Sequence, residues 1–303
     1  MSTSICDIAL TRNGLVDGRN HVRLGMHRVL RGAYAKTVGT DGDDVWTTRR
    51  NEWLTKTRAA LALYAQFSPV LYGPTALQAL RVALPQRLED WSTIHILIRG
   101  VNQRRRRDGV VLHYTTKPVT IWRKIDGLPV LNPVDHWLQL AGASLDEMIE
   151  VGDGLVRRRN PLLKLSQMHA RLDQLAGTPH AKLARRAIES IRPGTESIFE
   201  TRVRLIIVHA GLPEPEVSPG IWFAGGGFTL HPDMGYTKAK VAVEFDGMIH
   251  VNSRQHMDED AARRNHYLDA GWQIITVTAS HLQHPESWLR SIETALIIRG
   301  ETS

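Results

Sequence analysis

A helical stretch, Pro179 to Ile191, runs directly into Arg192-Pro193-Gly194, and a proline followed by glycine cannot continue a helix. The chain of 303 residues is expected to divide there, and its charge divides with it. Residues 194–303 carry 9 Lys and Arg against 14 Asp and Glu, a balance of −5, whereas residues 1–193 carry 29 against 17, a balance of +12. A basic part suits a polyanion, because Lys and Arg laid along phosphates release condensed counterions. An acidic part suits a cluster of carboxylates that takes a cation. A second break, the Gly and Asp cluster at Gly39 to Asp44, follows a compact basic segment, so three parts are expected: 1–42, 43–190 and 194–303.

Composition narrows the chemistry. With 42% hydrophobic and 23% charged residues, the chain is mixed enough and long enough for ordinary globular domains. No apolar run reaches the roughly 18 residues of a membrane helix, and Met1 to Leu10 lacks a signal-peptide pattern, so a cytoplasmic protein without a membrane partner is expected. Cys6 is the single cysteine, which leaves no disulfide framework, no CxxC pair and no cysteine-rich zinc site. Any metal must be held by oxygen or imidazole. The phosphate-loop, dinucleotide-fingerprint, HExxH and GxSxG patterns are all missing, so no nucleotide cofactor is expected.

The last part reads as αβββαβα. Ser197, with Glu200 three residues on, marks the start of a helix over Thr195 to Ala210 that places Phe199, Val203, Ile206 and Ala210 on one face. Phe228 to Asp233 and Lys240 to Asp246 read as neighbouring strands. Alternation puts Glu244 and Asp246 on one face of the second, and Val241, Val243 and Phe245 on the other. A further strand at Val217 to Phe223, a polar helix from Asp258 to Ala270, a buried-type strand from Gln273 to Thr278 and a helix from Pro285 to Arg299 complete the order. Asp233 and Glu244 then become neighbours on one sheet. Converging carboxylates cannot all stay ionised unless a cation neutralises them. An all-oxygen set suits Mg²⁺, with Mn²⁺ as the alternative ion, and metal-assisted phosphodiester hydrolysis is the natural reaction.

Taken in combination, Glu200, Asp233, Glu244-Phe245-Asp246-Gly247, His250, Asp260, Arg263, Leu268 and Gly271-Trp272 before a strand give residues 195–282 a pattern that resembles the very-short-patch-repair-like endonuclease domain of the PD-(D/E)XK superfamily. The resemblance implies a restriction-endonuclease-like core in which Asp233, Glu244 and Asp246 hold the metal. It also implies Glu200, or its rival Glu196 one turn earlier, as the helix glutamate, His250 as general acid or base, and Asp260 and Arg263 as groups that support the site or touch DNA. Asp246 stands where many members have lysine. Either His250 or Lys240 replaces that cation, or a second metal does, or the site is inactive.

The first part reads as short helices with turn signals between them at Asn13-Gly14 and Asp17-Gly18, then a strand pair carrying Val29, Leu30 and Tyr34, lined by Arg23, Arg28 and Arg31. With its close at Gly32-Ala33-Tyr34-Ala35, it resembles the winged-helix segment that opens AbiEi-type antitoxins. Gly127 to Ala141 resembles the middle region of that family, which usually has arginine in the stretch held here by Asp135 and His136. The middle part reads as mixed α/β, with helical spacing at Ala59 to Tyr64 and Pro74 to Ala83, strands at Ile94 to Ile98 and Val110 to Tyr114, and a helix after Pro133. Arg104, Arg105, Arg106 and Arg107 form an exposed loop suited to a phosphate backbone. The expectation is therefore an α/β multidomain chain acting as a Mg²⁺-dependent DNA endonuclease, with DNA held by the basic N-terminal region. Its alternatives are a catalytically inactive nuclease-fold DNA-binding or antitoxin-like regulator, and an RNA or protein-interaction module.

Overall fold

The structure, a computed structural model, describes residues 8–10, 26–36, 44–100, 107–223, 227–247 and 254–300. It is mixed α/β and forms two compact units, Met1–Gly142 and Ala143–Ser303.

In the first unit, β1 (Ile8–Leu10), β2 (Met26–Leu30) and β3 (Ala33–Lys36) make an antiparallel sheet in the order β1-β3-β2. The expected strand pair is β2–β3. Arg23 and the short helices expected before it lie outside the described residues. α1 (Val45–Leu63) begins at Asp44, whose carboxylate accepts from the N–H groups of Trp46 and Thr47, so the acidic cluster ends in a helix cap. There follow β4 (Val70–Leu71), α2 (Gly73–Ala79), β5 (Ile94–Arg99), β6 (Val110–Thr115), β7 (Arg123–Ile125), β8 (Leu128–Val130) and α3 (Pro133–Trp137). The five strands form one sheet in the order β6-β5-β4-β8-β7, with Ile94, Ile96 and Ile98 fully buried.

Arg107 is half-buried, donates to the Arg31 carbonyl and lies over the Tyr64 ring at 5.9 Å. Arg104, Arg105 and Arg106 lie outside the described residues. His136 belongs to the core, where its Nε2 accepts from the Leu131 N–H at 3.1 Å and full burial pushes its pKa down to about 3.

The second unit opens with α4 (Leu145–Leu155), α5 (Leu165–Gln174), α6 (Ala181–Ile188) and α7 (Ile198–His209). The boundary between units thus falls at Gly142 and not at Pro193-Gly194. The reason is a buried ionic knot. Arg204 of α7, 1% exposed, donates to Asp153 of α4 at 2.8 Å, to Glu214 at 2.7 Å and to the Ser190 carbonyl at 3.0 Å. Asp153 also accepts from the Thr201 hydroxyl at 2.9 Å and the Arg192 N–H at 2.8 Å. These bonds bind both sides of the Pro-Gly turn to each other.

The rest of this unit is β9 (Glu216–Val217), β10 (Ile221–Phe223), β11 (Phe228–Leu230), β12 (Met234–Tyr236), β13 (Val241–Asp246), α8 (Arg254–Asp269), β14 (Gln273–Thr278) and α9 (Glu286–Ile298). A four-stranded sheet runs β14-β13-β12-β9, with β13 and β14 parallel and connected through α8, and β10–β11 is a separate ribbon. Asp233 therefore does not close the strand that begins at Phe228; it immediately precedes β12. One face of the sheet packs Val241 and Val243 against Val203 and Ile207 of α7 and Trp288 and Ile292 of α9, and the other packs Ala242 against Tyr267 and Trp272. Gly235 is required in β12, since a Cβ there would stand 2.6 Å from the Val241 carbonyl oxygen.

Candidate active site

Strand register lines up the rim of the second unit's sheet. Met234 pairs with Val217 on one side and Val243 on the other, and Glu244 pairs with Thr276. One residue before Met234, Asp233 accordingly falls between Ser218 and Glu244. Two backbone donors fix it: the Ser218 N–H donates to the Asp233 carbonyl at 2.9 Å, and the Phe245 N–H donates to Asp233 Oδ2 at 2.8 Å.

Glu244 is oriented from α8. Its Oε1 accepts from Arg263 Nη2 at 2.8 Å and from the buried Tyr267 hydroxyl at 3.1 Å, and the same Arg263 nitrogen donates to the His231 carbonyl at 2.9 Å. Glu200 comes from the first turn of α7. Its N–H donates to the Ser197 hydroxyl at 3.2 Å, and its Oε2 accepts from the Glu196 N–H at 2.8 Å, one residue further back than a capping box would reach. From the loop after α4, Arg158 donates through Nε to Glu196 at 3.2 Å and through Nη1 to the Ser218 hydroxyl at 3.1 Å.

The carboxyl groups repel one another. Burial, and then the neighbouring Asp233, push Glu200 up to about 7. Burial, and then Glu244, push Asp233 up to about 6, against the Phe245 N–H, Arg263 and Arg158, which pull it down. The rim thus holds protons at a pH where isolated carboxylates hold none.

The structure brings together Asp233, Glu244, Glu200 and Arg263 from the residues expected in the site. Asp246 is exposed at the end of β13, two residues beyond Glu244 and opposite Thr278. His250 and the side chain of Asp260 lie outside the described residues. Lys240 does not replace the missing lysine: it precedes the far end of β13 and donates to the Ala270 carbonyl at 3.1 Å. Arg28 and Arg31 are exposed in the first unit. Sequence reasoning missed Arg158, Ser218 and Tyr267; the run Arg157-Arg158-Arg159 was the one available signal for them.

Among the described residues, no three acidic, histidine or cysteine side chains are grouped to ligate one ion. Asp233 and Glu196 raise Glu200, and Glu244 raises Asp233. Mg²⁺ needs only one or two carboxylates beside water and phosphate oxygens, so the pair Asp233 and Glu244 fits it by donor type and number. No donor among the described residues bonds Asp233 Oδ1 or Glu244 Oε2. No protein-family model matches the chain, and neither a curated protein nor a solved structure matches it significantly.

Proposed function

We propose that the second unit hydrolyses phosphodiester bonds of DNA with the help of Mg²⁺ or Mn²⁺, the basic first unit holding the DNA backbone. The convergence of Glu200, Asp233 and Glu244 at one end of the sheet carries this reading: Asp233 raises Glu200, Glu244 raises Asp233, and like-charged carboxyls brought together are a site for positive charge. Asp233 and Glu244 would hold the ion, which when bound stabilises charge on the phosphoryl group and makes a water molecule more acidic.

The protein's own residues do the positioning. Arg263 and Tyr267 hold Glu244, and the Phe245 N–H holds Asp233. Glu200, titrating at about 7, is suited to exchange a proton with the attacking water at neutral pH. Exposed Arg28 and Arg31 on β2 and the hairpin turn after it support backbone binding by the first unit. Asp233→Ala is expected to reduce metal-dependent nicking of supercoiled plasmid to background while DNA binding persists. Unchanged cleavage would remove Asp233 from the site.

A second reading is a DNA-binding regulator without cleavage. The ion pair between Arg263 and Glu244, together with an acid at 246, favours it, since Glu244 already has its counter-charge. It predicts retained DNA binding and no cleavage in Mg²⁺, Mn²⁺ or EDTA.

A further inference from the structure

The rim is short of cations. Glu196, Glu200, Asp233 and Glu244 meet two guanidinium groups, Arg158 and Arg263, and Arg263 is bonded to Glu244, Tyr267 and the His231 carbonyl. We propose that Arg158 is an anion site that takes a non-bridging oxygen of a nucleic-acid phosphate beside Asp233; the inference rests on the reading of this rim as a phosphodiesterase site.

Arg158 is placed for that task. Its side chain is 37% exposed, unlike that of Arg204. Nε and Nη1 are fixed by Glu196 and Ser218, and no acceptor among the described residues takes Nη2. Ser218 is the bridge to the acids, because its hydroxyl accepts from Arg158 while its N–H donates to the Asp233 carbonyl. The loop is held on every side: the Arg158 N–H donates to the Thr195 carbonyl at 3.3 Å, the Arg159 N–H to Glu196 at 2.8 Å, and Arg157 Nε to the Arg159 and Asn160 carbonyls at 3.2 and 3.3 Å. A guanidinium with a fixed plane and one open nitrogen suits a phosphate oxygen better than a mobile ammonium does.

The test is fluorescence anisotropy of a labelled DNA duplex with the full chain in EDTA, across a range of salt concentrations, with melting temperature as control. Arg158→Gln is expected to weaken binding by about tenfold and to reduce the slope of log K against log salt by about one. Wild-type affinity and slope in Arg158→Gln would overturn the proposal. If Arg158→Gln melts early, Arg158→Lys decides: binding weaker by about threefold or more sustains the planar contact, and wild-type binding overturns it. No divalent ion is needed, so the result is independent of cleavage. If wild type cuts DNA and Arg158→Gln binds like wild type, the Arg158 site alone fails. If wild type binds no DNA, the reading of the rim fails with it.

Discussion

Glu200 has two duties on one carboxyl group. One oxygen accepts from the Glu196 N–H and secures the start of α7, and the group as a whole feels the charge of Asp233. Its pKa in the folded protein, about 7, lies above the ordinary 4.5, so the native state holds a proton that the unfolded chain has released. The stability gained from that proton is complete below about pH 4.5 and is lost as pH rises through 7. Glu200→Gln keeps a neutral acceptor at every pH. It should therefore raise the melting temperature at pH 8 and flatten its decline between pH 5 and 8, a difference on the order of 1–3 kcal/mol, readable by thermal shift across a pH series. The nearness of Asp233 and Glu244 was legible in the sequence from their spacing, whereas Glu200 entered the site through the resemblance. Arg158 was not, because its partners stand 38 and 60 residues away along the chain.

At the scale of elements, legibility followed the number of faces an element buries. β13, β14 and α9 were read correctly, and the buried side of α9 carries the expected Trp288, Ile292, Ala295 and Leu296. α7 was half read. Of the expected stripe, Val203 and Ile206 pack toward the sheet beside Ile207, but Phe199 and Ala210 are exposed, and nothing local marks the polar Thr201 and Arg204 as buried. The strand expected over Phe228 to Asp233 failed for a local reason: Pro232 has no N–H to give a ladder, so the ribbon strand stops at Leu230 and pairing resumes only at Met234. Because Arg204 and Asp153 are both buried, removing one leaves the other unpaired in the interior. Arg204→Ala should cost about 3–5 kcal/mol in chemical denaturation, and a smaller loss would mean that water reaches Asp153.

For the whole molecule, the units sort the charge differently from the Pro-Gly break. Residues 1–142 carry 20 Lys and Arg against 11 Asp and Glu, and residues 143–303 carry 18 against 20, so the net positive charge belongs to the first unit. A fragment of residues 143–303 is expected to unfold in one cooperative transition, whereas a fragment of 194–303 should fail to fold, because it exposes Arg204 and the α4-facing side of α7. Calorimetry of the two fragments checks this. The register that aligns Asp233 with Glu244 also sets how this protein can change over generations. Gaining or losing a single position between Tyr236 and Val241 would set Glu244 opposite Pro232 or Met234 and break up the acid row, so that reverse turn can drift in composition but not in length.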